Sequence, residues 1–170
     1  YTITKQELGK LKLSAQDKTY QNKKNGYVTK VTVTDLDGTV LRAGTDYDKN
    51  VMYTYQDETT VQNISGGGSA VRAAGTVVNT EDIIPAGTVL RVTVKGKDGG
   101  NYTGTLSGEY RISKSSISSA AVSVPKQVYT GQEITLDKED ITVKVKGRPI
   151  DENQERSQWE IVPGSYKNNV

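Results

Sequence analysis

The chain has 170 residues and a mass of 18.5 kDa, the size of one ordinary domain or two small ones, with 22 Lys and Arg against 20 Asp and Glu. Zero Cys excludes a disulfide framework, thiolate zinc sites, iron–sulfur ligation and a Cys nucleophile, and zero His removes the usual general base, the Ser-His-Asp triad and the commonest zinc ligand. A net charge of +2 with interspersed signs, no basic–aromatic stripe and no apolar run near the ~20 residues that span a bilayer give no support to a nucleic-acid partner or to membrane insertion. What survives is carboxylate chemistry, a Ser-Lys pair, or an oxygen-only magnesium or calcium site. The chain starts at Tyr1 without an initiator Met or leader, and so reads as a piece of a longer protein.

The 20 Thr, 19 Val and 10 Ile suit half-buried sheet faces, and one Trp, one Met, no Phe and ten Tyr predict a modest, tyrosine-rich core. In chain order, Leu11 to Ala15, Val28 to Val33, Leu90 to Val94 and Ile141 to Val145 alternate apolar and polar residues, each a strand with one wet face. Asn25-Gly26, Asp37-Gly38, Lys97-Asp98-Gly99-Gly100 and Thr130-Gly131 supply turns between strands. A helical period is found only over Ser115 to Ala121, which in this context is read as a linker. The pattern predicts an all-β antiparallel sandwich or barrel.

Sliding the chain against itself aligns Tyr1-Thr2-Ile3 with Tyr110-Arg111-Ile112. At the same offset Leu13, Ala15 and Tyr20 align with Val122, Val124 and Tyr129, and Gly38 and Leu41 with Gly147 and Ile150. Val31 and Val33 meet Ile141 and Val143 after a one-residue shift, and Tyr53 and Tyr55 correspond loosely to Gly164 and Tyr166. A repeat of about 110 residues is the size of one β-sandwich domain. The expected organisation is residues 1–112 as a first unit, 113–119 as a polar linker and 120–170 as the first half of a second unit. Half a sandwich leaves an apolar face and an open edge, so weak self-association through the second unit is expected.

Two segments carry a resemblance. GTVLRAGTDYD (Gly38 to Asp48) and PAGTVLRVTVKGKDGGNYTGTLSGEYRI (Pro85 to Ile112) resemble the recurrent Ig-like repeats of large cell-surface proteins of Gram-positive bacteria, with Gly44-Thr45-Asp46-Tyr47, Ala86-Gly87-Thr88 and Asn101-Tyr102-Thr103-Gly104-Thr105 in the recurrent slots and Val128-Tyr129-Thr130-Gly131 as a repeat opening. The resemblance implies an Ig-like antiparallel β-sandwich in tandem array. It also implies a non-catalytic extracellular module, cell-surface or cell-wall associated, acting as spacer or adhesion surface beside neighbouring Ig-like repeats and an extracellular protein or glycan ligand. It assigns no site residue, metal or cofactor.

The chain departs from that family at about 57–84, where a short connection is usual. Ser65-Gly66-Gly67-Gly68-Ser69 reads as the tip of a mobile surface loop, and Val61, Ile64, Val71, Val77 and Val78 suggest an extra hairpin around it. Residues 60–80 are expected to be replaceable by a short turn without loss of fold, and to be where a partner binds.

Asp35-Leu36-Asp37-Gly38-Thr39-Val40-Leu41 resembles the first motif of the haloacid-dehalogenase phosphatases, which implies Asp35 as nucleophile, Asp37 as acid/base and a bridging Mg²⁺. That chemistry needs a parallel sheet wrapped by helices, and no helical period follows, so a hairpin with solvated Asp35 and Asp37 is favoured. Asp46-Tyr47-Asp48 and Asp137-Lys138-Glu139-Asp140 are acidic clusters read as solvated loops in preference to calcium sites. Tyr20, Tyr27, Tyr47, Tyr53, Tyr55, Tyr102 and Trp159 offer rings for a carbohydrate-binding alternative, against which the parity of Tyr47, Tyr53 and Tyr55 argues for core. A Lys–Asn isopeptide cross-link would need those two residues against a buried carboxylate, and no motif marks one.

Overall fold

The computed structural model describes residues 3–63, 65, 67–128, 130–132, 134–145, 147–150 and 159–164. Tyr1, Thr2, Ile64, Gly66, Tyr129 and Tyr166, on which parts of the sequence reading rest, lie outside the described residues. The protein is all-β, with single 3-10 turns at Leu8–Lys10 and Lys138–Asp140. It divides into two compact units, Tyr1–Ser115 and Ser116–Val170, at a point inside the 113–119 segment.

Unit 1 contains β1 (Gln6–Glu7), β2 (Lys12–Ala15), β3 (Lys18–Thr19), β4 (Val31–Thr34), β5 (Val40–Leu41), β6 (Met52–Tyr55), β7 (Thr59–Asn63), β8 (Ser69–Arg72), β9 (Asp82–Ile83), β10 (Val89–Lys95), β11 (Tyr102–Thr103) and β12 (Thr105–Ser113). The larger sheet runs β3-β12-β10-β6, and a three-stranded sheet runs β2-β4-β5. The alternation predicted for Leu90 to Val94 is met: Leu90, Val92 and Val94 are fully buried while Arg91 points outward. On β12 the inward positions are Leu106, Gly108, Tyr110 and Ile112, of which Tyr110 and Ile112 are buried. A Cβ at Gly108 would lie 2.5 Å from Leu13 Cδ2, so the Leu13 methyl that packs onto β12 here would have to move aside for a larger residue.

The core is tyrosine-rich, as the composition predicts. Tyr53 stands edge-on to Tyr27 at 5.3 Å and to Tyr110 at 6.2 Å between ring centroids, an arrangement that aligns positive ring edges with negative faces. Two of the hydroxyls are satisfied by backbone: Tyr110 donates to Tyr27 O at 2.6 Å and Tyr53 to Thr29 O at 3.3 Å. A second cluster of Leu8, Leu11, Val33, Leu41, Tyr47 and Val94 fills the other end, and Leu13, Val31 and Val51 pack against both.

The 57–84 segment forms the extra hairpin expected around its glycine-rich tip, but it is built into the core and is not only a surface loop. β7 pairs antiparallel with β8, from Thr59↔Arg72 to Gln62↔Ser69, and on its other side with β9. Val61, Val78 and Ile84 are buried in the main cluster with Tyr27, Tyr55 and Leu90. The chain then returns along the free edge of β6, where Tyr55 N donates to Thr76 O at 3.0 Å and Val78 N to Tyr53 O at 2.9 Å. The tip at Ser65, Gly67 and Gly68 is exposed, as the glycines led one to expect, and so are Val71 and Val77. The physical reason is area: the two sheets leave one side of the tyrosine cluster open, and Val61, Val78 and Ile84 close it.

Unit 2 contains β13 (Ala121–Ser123), β14 (Thr142–Val145) and β15 (Arg148–Pro149), in that order across one antiparallel sheet. Its registers match those of unit 1. Leu13 faces Val33 across β2-β4, and Val122 faces Val143 across β13-β14. Leu41 lies opposite Val33, and Ile150 N donates to Val143 O at 3.0 Å. The turns match as well, with Gly38 at φ 89° and Gly147 at φ 78°, both in the left-handed region that glycine enters freely.

Because the insertion is core, replacing residues 60–80 with a short turn is expected to unfold unit 1. Val61→Ala, which removes two methyl groups and leaves a cavity, is expected to cost about 2 kcal/mol in urea denaturation.

Candidate functional site

Two places concentrate polar chemistry in unit 1. The first lies inside the insertion. Asp82 is 1% exposed, and Arg72 grips it with a bidentate pair, Nε to Oδ2 at 2.8 Å and Nη2 to Oδ1 at 2.7 Å, while Tyr55 donates to Oδ2 at 3.0 Å. The β7-β8 hairpin brings Arg72 to this point and β9 brings Asp82. Burial, followed by the Asp82 charge, pushes the Tyr55 hydroxyl far above its ordinary value, which keeps it a donor. The neighbouring Glu81 pairs with Lys24 and accepts from Ser65 Oγ at 2.7 Å, and the Lys24 contact chiefly holds its carboxyl below the usual range. Asn25 N donates to Thr80 O at 3.1 Å, so the 20s turn and the insertion are stitched together. These groups spend their hydrogen-bonding capacity on one another, an arrangement that fixes structure.

The sequence reading missed this network. Its one local signal is Asp82 directly before the apolar pair Ile83-Ile84. Asp82 is the buried carboxylate among the described residues, and its partners are Arg72 and Tyr55, not the Lys and Asn that an isopeptide cross-link requires.

The second place is the Asp35–Asp37 turn. β4 and β5 form the predicted antiparallel hairpin, closed by Asp35 N to Thr39 O at 2.8 Å and Gly38 N to Asp35 O at 3.0 Å. Asp37 is exposed and caps the turn, its Oδ1 accepting from Thr39 N at 2.8 Å. Asp35 differs from the solvated residue expected: Tyr102 donates to its Oδ2 at 2.7 Å, and Oδ1 accepts from Leu36 N at 2.6 Å and Gln6 Nε2 at 2.8 Å. Tyr102 chiefly, then the Leu36 amide, hold the Asp35 carboxyl below its ordinary value, and the same bond pushes the Tyr102 hydroxyl up to about 12. Asp35 thereby fastens the hairpin tip to β11 and to β1.

The remaining candidates are also accounted for. Asp46 Oδ2 accepts from Arg42 N at 2.7 Å and Asp48 Oδ1 from Asn50 N at 2.9 Å, so both carboxylates brace the backbone around buried Tyr47. Asp140 Oδ2 accepts from Asp137 N at 3.0 Å across its 3-10 turn. Among the described residues no group of three acidic side chains is placed to hold a metal ion. Tyr27, Tyr47, Tyr53 and Tyr55 are buried, so the proposed ring platform reduces to half-buried Tyr20, Tyr102 and Trp159, with Lys138 Nζ 4.6 Å over the Trp159 ring centroid. The outer face of the larger sheet is a polar ladder in which Arg91 bridges Glu109 at 3.0 Å and Gln56 at 3.1 Å, and Thr93 meets Ser107 at 2.8 Å.

Three outcomes follow from these contacts and from the buried tyrosines. Arg72→Leu strands the Asp82 charge and is expected to cost about 3 kcal/mol, whereas Arg72→Leu with Asp82→Leu is expected to recover most of it, as read by a double-mutant cycle in urea. For the Asp35–Tyr102 bond, the depressed Asp35 value means its contribution is present above the ordinary carboxylate range and lost as pH falls. The raised Tyr102 value means its contribution is full below the ordinary tyrosine value and lost as pH rises through about 12. Asp35→Asn is therefore expected to flatten the acid limb of the stability–pH curve. Absorbance titration is expected to find Tyr55 and Tyr110 ionising only as the protein unfolds in alkali.

A scan with protein-family models and comparisons with curated proteins and with solved structures returned no match, so geometry and chemistry alone carry the reading of these sites.

Proposed function

We propose that the chain is a non-catalytic, extracellular Ig-like module of a bacterial cell-surface protein, a spacer or adhesive bead in a tandem array. The observation that carries this reading is a pair of parallel ladders joining the beginning of unit 1 to its end: β1 runs parallel to β11 and β3 runs parallel to β12, with Tyr20 N donating to Ser113 O at 2.8 Å. A chain pulled from both ends loads such ladders in shear, so their hydrogen bonds resist together instead of opening one at a time. That property suits a bead in a tethered chain.

The Ig-like reading is supported by the N-terminal segment, which contributes β2 to one sheet and then crosses as β3 to the edge of the other, beside the last strand. The tandem reading is supported by the equal registers of β2-β4-β5 and β13-β14-β15. Cell-surface placement rests on the resemblance of GTDY and GNYTGT to Gram-positive repeats, with a Cys-free composition that folds without an oxidant. Neighbouring Ig-like repeats and an extracellular protein or glycan are the partners this role implies. The phosphatase alternative is disfavoured because donors occupy both Asp35 oxygens and the Asp-bearing strand lies between antiparallel neighbours.

Pulling the full chain between end-attached handles is expected to give one high-force unfolding event for unit 1, and Tyr20→Pro, which deletes the donor to Ser113, is expected to lower that force. Low-force, stepwise opening of the wild type would contradict the spacer role. Phosphate-ester turnover lost in Asp35→Asn would contradict the non-catalytic one.

A further inference from the structure

We propose that the outer face of the β2-β4-β5 sheet of unit 1 binds a linear sulfated glycan, with Lys12, Lys30 and Arg42 meeting its sulfates and the side chains between them meeting its hydroxyls. The inference rests on the module reading for an extracellular setting alone, and it names a face and a ligand class that the reading leaves open.

The three cations are scattered in the sequence and collected by strand register. The inward positions of this sheet are Leu13, Ala15, Val31, Val33 and Leu41, so the alternate residues face out. Lys12 stands opposite Thr34 and Ser14 opposite Thr32, and Gln16 N donates to Lys30 O at 3.3 Å, which carries the register one step further. On the other side of β4, Thr34 stands opposite Val40 and Val33 opposite Leu41, so Arg42 follows beside Thr32. The outward residues therefore form three rows, Lys12-Thr34-Val40, Ser14-Thr32-Arg42 and Gln16-Lys30. At about 3.4 Å per residue and about 4.8 Å between strands, the Cα of Arg42 is about 8 Å from that of Lys30 and about 12 Å from that of Lys12. Side chains of that length reach the Ser14–Thr32 pair from three directions.

Among the described residues, Lys12 and Lys30 form no ion pair, and the hydroxyls of Ser14, Thr32 and Thr34 make no hydrogen bond to the protein. Arg42 Nε lies 3.8 Å from Asp46 Oδ2, an oxygen already bonded to Arg42 N, and the Arg42 side chain is 77% exposed. The carboxylates of the adjoining turn, Asp35 and Asp37, are held by Tyr102, Gln6 and backbone amides. The outer face of the larger sheet is different: there Arg91 is met by Glu109 and Gln56, and Thr93 by Ser107. Unit 2 shows that strand pairing does not require the cations. In the matching register of β13-β14, Ser123 and Thr142 repeat the Ser14–Thr32 pair, while Ala121 stands at the place of Lys12 and Asp140 at that of Lys30. Three like charges separated by about one Debye length repel one another, and a bound polyanion reverses that cost.

The spacing selects the ligand. Three cations within about 14 Å call for several anionic groups on one extended chain, and free hydroxyls with the Gln16 amide between them call for a chain that carries hydroxyls between its charges. A linear sulfated glycan has both. A glycan with one carboxylate per disaccharide is too sparse to meet all three cations. A single-stranded nucleic acid uses aromatic rings to stack its bases, and these rows offer none.

The test is titration of the full chain, isotopically labelled, with a heparin-derived hexasaccharide at physiological salt. Saturable binding is expected, with NMR shifts at residues 12–16, 30–34 and 40–42 and a log–log salt dependence of slope about 3, one for each cation. Lys12→Gln with Lys30→Gln is expected to weaken binding at least about tenfold and to reduce the slope to about 1, with the thermal unfolding of unit 1 unchanged. Lys95→Gln with Lys114→Gln removes the same charge elsewhere and is expected to bind as the wild type does. Absence of saturation, shifts centred on other strands, or equal loss in the two double variants would each overturn the proposal. Tighter binding of a polyglycerol phosphate or of single-stranded DNA than of the hexasaccharide would overturn it in favour of a phosphodiester ligand. The pulling experiment tests the spacer role separately, because Lys12, Lys30 and Arg42 lie outside the ladders that join the ends of unit 1.

Discussion

Leu13 of β2 seats its terminal methyl on Gly108 of β12, and the two core clusters of unit 1 meet at that contact. A Cβ at 108 would fall 2.5 Å from Leu13 Cδ2, so the Leu13 side chain would have to shift to make room. The two core clusters share Leu13, Val31 and Val51 across that junction, so wedging it open would expose both. β12 bears on nearly everything nearby: it pairs with β10 and β3, receives Leu13, and places Tyr110 to donate to Tyr27 O. A core built on tyrosine needs partners for its hydroxyls, and the backbone at Tyr27 and Thr29 and the Asp82 carboxylate supply them for Tyr110, Tyr53 and Tyr55.

That requirement explains why the insertion is built with a buried ion pair. Tyr55 is 1% exposed and needs an acceptor, Asp82 supplies it, and an unaccompanied carboxylate at that depth would be costly. Arg72 neutralises it from the paired strand. The polar network and the apolar closure by Val61, Val78 and Ile84 thus belong to one solution. The exposed glycine tip is the part of the segment free to vary.

Much of the fold was legible. Alternation located β2, β4, β10 and β14, Asp37-Gly38 located the β4-β5 turn, and strand parity placed Tyr47, Tyr53 and Tyr55 inside. The offset comparison paired Leu13 with Val122, and each faces a valine across its own antiparallel strand pair, Val33 and Val143. In the insertion the extra hairpin around the glycine tip was legible, as β7-β8, but the burial of Val61 and Val78 was not, because its cause is distant tyrosines. The Arg72–Asp82 and Asp35–Tyr102 bonds were illegible for the same reason: each joins residues brought together only by strand pairing. Parallel pairing of β3 with β12 likewise leaves no trace in local pattern.

The central claim is that β12 and the insertion together close the core of unit 1, whereas unit 2 buries a single hydrophobic side chain, Val143, among its described residues. Native-state hydrogen exchange on the full chain tests this most directly. Amides of β10, β12 and β7 are predicted to exchange together and slowest, through global unfolding of unit 1, with those of β13 and β14 exchanging far sooner. Rapid exchange of β7 ahead of β10 and β12, or protection of β13 and β14 equal to that of β10, would contradict the account.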